Sequence, residues 1–346
     1  EYELQVKELE IVQVAEEYPI SKKEHGPDFL LDNRHLWLRS KKQWAIQKVR
    51  NTVINGIYEF LNNDGFNKID SPILTPNACE GTTTLFELEY FDLGKAYLSQ
   101  SGQLYLEAAI YSLGKVFDFG PVFRAEKSKT RRHLTEFWMM DAEMAFYDHE
   151  MNMKMQEELI YSIIQKVLKE CIQELEILER DIEPLKKIKL PFTRLTHNEA
   201  VKKLQKLGSD IKDNEDLGGD DETLLTKDSD SPVFVDKWPA EIKSFYMKRD
   251  ESDKLALCDD LIAPEGFGEI IGGSQREDDY NTLEKRIKEH KLPAKDFEWY
   301  LDLRKYGSVP HSGFGIGLER LVGWMCGTKH IRETIPFPRL ITRLKP

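Results

Sequence analysis

The sequence lacks the features that would place a protein in a membrane or stabilise it outside the cell. No apolar run approaches the roughly 18 residues that a transmembrane helix needs. The 346 residues include only four cysteines, and none of them forms a C-x-x-C pair. This pattern excludes a disulfide framework and a cysteine-based zinc site, and it is typical of reduced thiols. We therefore expect a cytoplasmic protein with no membrane partner.

Several familiar motifs of catalysis and nucleotide binding are also missing. There is no G-x-x-x-x-G-K-[ST] sequence, no G-x-S-x-G and no evident Ser-His-Asp pattern. Gly313, Gly315 and Gly317 do not have the G-x-G-x-x-G spacing of dinucleotide-binding folds. The net charge of −12 argues against a protein that coats DNA, although it is compatible with a local basic groove.

The chain is long and apolar enough to bury a large core. With 40% hydrophobic residues, we expect one large domain with appendages, or two domains. Two strand-like pieces, at 4–6 and 9–12, cannot form a domain alone, so residues 1–40 are expected to be the end of a preceding domain. The chain begins with Glu1 and shows no signal-peptide profile, from which we expect a fragment or a processed chain.

Apolar periodicity predicts long helices. The clearest runs from Lys41 to Asn63, is stopped by Asp64-Gly65 and leads into a short strand at 66–69. Further helices are predicted at 104–113, 148–179, 198–207 and 276–290. Residues 183–250 are less regular, and the nine acids and two lysines at 209–230 indicate a solvated insertion rather than a metal cluster.

The most informative stretch, Gly120 to Phe146, is predicted to form two apolar strands joined by a basic loop. On each predicted strand, two charged residues stand two positions apart, so they lie on the same face of the strand. They are Arg124 and Glu126 on the first strand, and Asp141 and Glu143 on the second. Charges on one face of apolar strands would be costly in a core, but they would form a good floor for a polar ligand.

The polar residues spread along the chain suit a polyphosphate bound with a divalent metal. They are Glu80, Gln103, Arg124, Glu126, His133, Asp141, Asp260, Glu269, Arg276 and Arg320. Arginines neutralise charge on phosphate groups, and carboxylates are preferred ligands of Mg²⁺. Glycines at 313, 315 and 317 would leave one face of a strand bare, so that a flat ring can lie against it. The residues alone therefore predict a nucleotide and Mg²⁺ site on an antiparallel sheet.

Three segments, in order, resemble the motifs of a known family. Phe123-Arg124-x-Glu126 and the strand that follows it resemble motif 2 of the class II aminoacyl-tRNA synthetases. Gly313 to Arg320 resembles motif 3, and the first long helix with residues 65–72 resembles motif 1. Within the class, the chain is most similar to the aspartyl/asparaginyl branch, and there to the asparaginyl members of archaeal and eukaryotic type.

The resemblance implies an α+β fold in which helices flank a central antiparallel sheet. Residues 41–346 would form the class II catalytic domain, with a polar, acidic insertion around 183–250. Residues 1–40 would be the remnant of an N-terminal OB anticodon-binding domain with its hinge. The family also implies a homodimer formed through the motif 1 helix and strand.

The implied reaction has two steps and uses ATP and Mg²⁺. ATP and asparagine give asparaginyl-adenylate and pyrophosphate, and the asparaginyl group is then transferred to tRNA(Asn). No protein group forms a covalent intermediate, so catalysis rests on positioning and charge stabilisation.

Residue roles follow by resemblance. The catalytic residues would be Arg124, Glu269 and Arg320. ATP would be bound by Arg124, Glu126, Arg132, His133, Leu134, Glu269, Gly317 and Arg320. The amino acid would be bound by Glu80, Gln103, Leu106, Asp141 and Arg276. Mg²⁺ would be held by Asp260 and Glu269.

Leu106 bears on the choice of substrate. Aspartyl enzymes resemble Q-S-P-Q-L-x-K, in which a lysine meets the substrate carboxylate, and Leu106 stands at that lysine's position. A neutral amide needs no such charge partner, which favours asparagine. Either Glu107 or Glu126 could accept a hydrogen bond from the amide. Gly272 replaces a serine that aspartyl enzymes often have beside the metal, which leaves the number of Mg²⁺ ions open.

Three other functions are compatible with the same fold. One is an asparagine synthetase paralogue that acts through aspartyl-adenylate, and another is an aspartyl-tRNA synthetase. Leu106 disfavours both, because both would activate aspartate. The third is a non-catalytic paralogue, which the presence of Arg124, Glu269 and Arg320 disfavours.

Overall fold

The computed structural model describes residues 2–77, 79, 85–128 and 130–346. Its helices are α1 (Pro27–Asp32), α2 (Arg34–Trp37), α3 (Lys41–Asn63), α4 (Gln103–Leu113), α5 (His149–Glu170), α6 (Ile172–Ile177), α7 (Glu183–Lys187), α8 (His197–Lys206), α9 (Gly219–Leu225), α10 (Tyr280–Glu289), α11 (Glu298–Lys305) and α12 (Leu318–Cys326). Its strands are β1 (Asn67–Lys68), β2 (Leu74–Thr75), β3 (Glu87–Glu89), β4 (Lys95–Leu98), β5 (Lys115–Phe123), β6 (Glu136–Ala145), β7 (Thr193–Thr196), β8 (Val233–Pro239), β9 (Leu255–Ala263), β10 (Gly268–Gln275) and β11 (His311–Gly317).

An eight-stranded sheet forms the centre of the molecule, in the order β1-β5-β6-β11-β10-β9-β8-β7. Its inner pairs are antiparallel, and only the outer pairs, β1 with β5 and β7 with β8, are parallel. A second sheet contains β2, β4 and β3. The α+β fold with a central, mainly antiparallel sheet flanked by helices is therefore confirmed.

The two faces of the large sheet have different environments. On β6, Met140 and Met144 belong to the main hydrophobic core, which also contains the apolar faces of α3, α5 and α12. Met139 and Asp141, which alternate with them, point to the opposite face. That second face forms the floor of a large cavity.

The long helices begin and end where local chemistry provides caps. At the start of α3, the Ser40 side chain accepts a hydrogen bond from the Gln43 backbone, and Gly65 follows the helix with φ +82°. The predicted range of α3 is confirmed. The helix predicted at 148–179 is interrupted at Cys171 and becomes α5 and α6.

Three other sequence predictions differ from the structure. The strands expected at 4–6 and 9–12 are not formed. Residues 2–26 contain no helix or strand and are mostly exposed, so their apolar side chains are not buried against a core. The helix expected from Arg276 begins only at α10, where the Asp279 side chain caps Thr282. Within the segment 183–250, which was expected to be less regular, the strand character of residues 233–235 is confirmed by β8, and β7 is an additional strand of the large sheet.

The predicted hairpin is formed, but its first strand is shorter than expected. β5 ends at Phe123, so Arg124 and Glu126 lie in the loop rather than on the strand. The Arg124 backbone N–H still donates to the Thr135 carbonyl, and this bond holds Arg124 at the end of the hairpin strands.

Within the described residues, no helix is long and apolar enough to cross a bilayer.

Candidate active site

A cavity of about 630 Å³ lies on the open face of the large sheet. It brings together almost all the site residues predicted from sequence: Gln103, Arg124, Glu126, Arg132, His133, Leu134, Asp141, Asp260, Glu269, Arg276, Gly317 and Arg320. Glu80 lies outside the described residues. Leu106 is fully buried with Ile110 and Val116 and does not line the cavity, so its effect on substrate choice stays a prediction.

The glycines of β11 create the space for this cavity. A Cβ added at Gly315 would lie 2.5 Å from an oxygen of Asp141, and one added at Gly313 would lie 2.1 Å from an oxygen of Glu143. A Cβ at Gly317 would meet nothing within 4 Å. The Asp141 and Glu143 carboxylates of β6 therefore fill the space beside Gly315 and Gly313. The surface that is open to a flat ring is at Gly317.

At one end of the cavity, polar groups converge on Asp141. Its carboxylate accepts hydrogen bonds from the Ser101 hydroxyl and the Gly102 backbone, both at 2.9 Å. Gln103 begins α4 and donates from its amide nitrogen to Glu107 at 3.1 Å. This end therefore offers a fixed carboxylate beside an oriented amide.

The Glu107 carboxylate supports the Gln103 side chain at this end of the cavity. It is fully buried, and its carboxylate accepts from Tyr300 at 2.8 Å and from Arg304 at 2.6 Å and contacts His311 Nε2 at 3.0 Å. Burial acts to raise the pKa of Glu107, but Arg304 and His311 outweigh it and hold this pKa below its ordinary value. Of the two candidates for accepting from a substrate amide, only Glu126 lines the cavity.

Arg276, which directly follows the last residue of β10, also lines the cavity. Its guanidinium donates to the buried Glu143 carboxylate, with Nε at 2.9 Å, and to the Ser274 hydroxyl at 2.5 Å. Although burial acts to lower it, the pKa of Arg276 is raised by Glu143. Burial raises the pKa of Glu143, while the contact with Arg276 acts to lower it. The Arg276 guanidinium is thus already hydrogen-bonded to Glu143 and Ser274 before any ligand binds.

The cavity lining also includes the residues predicted to bind phosphate and metal. Arg320 donates to the backbone carbonyl of Glu269 at 2.7 Å and to its carboxylate at 3.1 Å. A register shift in β10 beside Glu269 is typical of a β-bulge, which can re-aim a side chain toward a site. Asp260 pairs with Lys243 at 3.1 Å.

These acidic residues fit a Mg²⁺ ion. A Cβ added at Gly272 would lie 3.3 Å from Glu269 Oε1 and 3.7 Å from Asp260 Oδ1, so both carboxylates converge on this point. Burial, with the nearby charge of Glu269, raises the pKa of Asp260 to about 7. A cation would relieve that repulsion, and Mg²⁺ commonly takes one or two carboxylates together with substrate phosphates.

The basic loop covers the cavity. The Arg124 guanidinium lies 5.5 Å from the centre of the Phe137 ring. His133 places Nδ1 3.1 Å from the Ser128 hydroxyl, and burial, followed by the charge of Arg320, lowers the pKa of its imidazole. A neutral His133 can donate one hydrogen bond toward a phosphate.

Several functional candidates were not found from the sequence. Lys243 lies in an irregular segment, and no periodicity or motif marks it as the partner of Asp260. Ser101 could have been found, because it stands beside Gln103 in a polar stretch that precedes a helix. Glu222 was included in a run of acids and interpreted as solvated, yet its carboxylate contacts Arg132 at 2.6 Å and is largely buried.

The fold and the cavity together define a class of protein. The three motif-like segments contribute α3, β6 and β11 to one structure, and their charged residues meet over an antiparallel sheet. The family model for class II tRNA synthetases (D, K and N) matches residues 26–341. The chain belongs to this family.

Individual relatives are more specific. The chain is 58% identical over 346 residues to an asparagine--tRNA ligase from Desulforamulus reducens, covering all of this chain and 80% of the relative. The crystal structure of asparaginyl-tRNA synthetase from Pyrococcus horikoshii complexed with asparaginyl-adenylate has a TM-score of 0.96 and 50% identity, covering 98% of this chain and 79% of that one. An aspartyl-tRNA synthetase from Entamoeba histolytica is more distant, with a TM-score of 0.81, 33% identity and coverage of 96% and 65%.

Proposed function

We propose that the protein activates asparagine with ATP to asparaginyl-adenylate and transfers the asparaginyl group to tRNA(Asn). The observation that carries this proposal is the TM-score of 0.96, at 50% identity, with a synthetase complexed with that adenylate. The cavity supports it, because the residues proposed to bind phosphate and the residues proposed to bind the amino acid line one site.

We assign the ATP end of the cavity to Arg124, Glu126, Arg132, His133, Leu134, Glu269, Gly317 and Arg320. Arg124 would contact the α-phosphate and the substrate carboxylate, and Arg320 would contact the γ-phosphate. Both arginines would stabilise charge that develops when the phosphate bond breaks. Asp260 and Glu269 would hold Mg²⁺, which supplies further charge neutralisation on the phosphate oxygens when bound.

The amino-acid end supports a neutral side chain. Asp141 and Gln103 would receive the α-ammonium group, and Arg276 would donate to the side-chain oxygen. Because Glu143 is already the partner of Arg276, a substrate carboxylate would have to compete with it for the guanidinium and would bury a second acidic group beside it. An amide avoids that cost, so the pairing of Arg276 with Glu143 favours asparagine over aspartate.

We also propose how the protein assembles and where it is located. We propose a homodimer formed through α3 and β1, and β1 is available because it lies at the edge of the large sheet. The four cysteines are free thiols, which supports a cytoplasmic protein. We also propose that residues 41–346 act as the catalytic domain and that residues 1–40 derive from an anticodon-binding domain.

Detection of the intermediate tests the proposed function. The purified protein is incubated with ATP, Mg²⁺ and either asparagine or aspartate, and the bound adenylate is identified by mass spectrometry. We expect asparaginyl-adenylate with asparagine, and subsequent transfer to a tRNA(Asn) transcript. An aspartyl-adenylate formed in preference would contradict the proposal and favour an enzyme that amidates or transfers aspartate.

A further inference from the structure

The acidic segment 209–230 contacts the ATP-binding loop through one well-defined connection. Arg132 donates from Nη1 to the Glu222 carboxylate at 2.6 Å and to the Gly219 carbonyl at 3.2 Å. From Nη2 it donates to the Thr223 hydroxyl at 2.7 Å and to the Gly266 carbonyl at 2.5 Å. All four terminal N–H groups of this guanidinium are therefore engaged with residues outside the loop.

The connection is shielded from solvent and closely fitted. The side chains of Arg132 and Glu222 are only 12% and 14% exposed. A Cβ added at Gly268 would lie 2.2 Å from the Glu222 carboxylate and 2.5 Å from Arg132 Nη1. A charge-assisted hydrogen bond in such a position is stronger than one on an open surface.

The connection also joins the loop to the strands that carry the metal-binding candidates. Glu222 accepts from the backbone N–H of Glu269 at 3.4 Å. The turn containing Gly266 links β9, which carries Asp260, to β10, which carries Glu269, and Arg131 donates to the same carbonyl at 3.2 Å. One carboxylate of α9 thus contacts both the ATP-binding loop and the strand that bears Glu269.

We propose that Glu222 of the acidic segment is a positioning residue that anchors the ATP-binding residues 132–134 through Arg132. This inference rests on the proposed function. The guanidinium of Arg132 serves as the anchor, and His133 and Leu134, which follow it directly, are presented to the nucleotide. A loop fixed in advance binds its ligand more tightly than one that must first become ordered.

The anchor predicts a selective kinetic defect. In ATP–pyrophosphate exchange, Glu222→Ala should raise the KM for ATP roughly tenfold or more, because a charge-assisted bond is lost. The KM for asparagine should change less than about twofold, since the hydrogen bonds described for Gln103, Asp141 and Arg276 join them to Glu107, Gly102 and Glu143, which lie outside α9. Glu222→Gln keeps an acceptor oxygen and should show an intermediate KM for ATP.

Two further variants separate anchoring from general effects of charge or folding. Asp220→Ala removes an exposed acid from the same first turn of α9, and it should behave as the unmodified protein. Thr223→Val keeps the side-chain shape but removes one acceptor from Arg132, and it should raise the KM for ATP by a smaller factor. If Glu222 acts through Arg132, the double variant Arg132→Ala/Glu222→Ala should be no worse than Arg132→Ala.

The outcomes distinguish this inference from the proposed function. Absence of asparagine-dependent exchange in the unmodified protein would refute the function. With an active protein, an unchanged or lower KM for ATP in Glu222→Ala would overturn the anchor. A parallel change of kcat and of both KM values would also overturn it, because that pattern indicates a general structural defect.

Discussion

Individual side chains at the site owe their properties to the pairing of buried charges. Arg276 is paired with Glu143, Asp260 with Lys243, and Glu269 with Arg320. Arg320 and Glu269 form the most exposed of these pairs, with side chains 23% and 38% exposed, and both line the cavity. A ligand phosphate can replace Glu269 as the partner of Arg320, and a cation can replace Arg320 as the partner of Glu269. Both exchanges cost little free energy, because both side chains stay partly hydrated.

Replacement of Arg320 tests its proposed role at the residue scale. Arg320→Ala should reduce the rate of pyrophosphate exchange roughly 10²- to 10³-fold, because a preorganised charge at the γ-phosphate is lost. Arg249→Ala is the control, since Arg249 pairs with Asp253 and does not line the cavity. Exchange within a few-fold of normal in Arg320→Ala would refute the assignment.

At the scale of elements, one buried ion pair joins the three motif-bearing segments. Glu319, at the start of α12, contacts Arg50 of α3 at 2.7 Å and accepts from the Trp138 backbone of β6 at 3.0 Å. The side chains of Arg50 and Glu319 are 8% and 2% exposed. The helix that carries Arg320 is thus held in register with both α3 and the sheet.

Loss of one member of this pair should destabilise the fold. Arg50→Ala leaves the Glu319 carboxylate buried without its cation, and we expect the free energy of unfolding to fall by about 3–5 kcal/mol. Urea denaturation measures this change. Lys42→Ala on the same helix, which removes an exposed pair with Glu333, should cost at most about 1 kcal/mol. Equal effects of the two variants would contradict the account.

Part of this arrangement could be predicted from the sequence, and part could not. The range of α3 and the hairpin of β5 and β6 follow from apolar periodicity, and the resemblance to motifs 2 and 3 brought Arg124 and Arg320 into one site. The contact of Arg132 with Glu222 joins residues 90 positions apart, and no local pattern records such a contact. For the same reason the acidic segment was predicted to be solvated, and Lys243 was not identified.

At the scale of the whole molecule, several buried acids should make stability depend on pH. Burial, followed by the charge of Asp141, raises the pKa of Asp118 to about 7 from 3.8. The folded protein therefore holds this proton up to about pH 7, whereas the unfolded chain releases it near pH 4. Because the folded state binds more protons in this window, its stability falls as the pH rises from about 4 to 7.

The variant Asp118→Asn should flatten this dependence. Between pH 5 and pH 7, the slope of its free energy of unfolding against pH should be smaller than that of the unmodified protein. The difference should be up to about 1.4 kcal/mol per pH unit. Asp230→Asn, at an exposed acid of the segment 209–230, should keep the original slope. Unfolding by urea at a series of pH values gives both slopes, and identical slopes for Asp118→Asn and the unmodified protein would show that Asp118 does not hold the proton.

Asparagine activation is the central claim, and its most direct test is the rate of ATP–pyrophosphate exchange with asparagine and with aspartate under the same conditions. A substrate amide can accept a hydrogen bond from Arg276, whereas a substrate carboxylate must compete with Glu143 for the same guanidinium, and we expect the two transition states to differ by several kcal/mol. We therefore expect kcat/KM for asparagine to exceed that for aspartate at least about 10³-fold. Exchange that is driven by aspartate and not by asparagine would contradict the account.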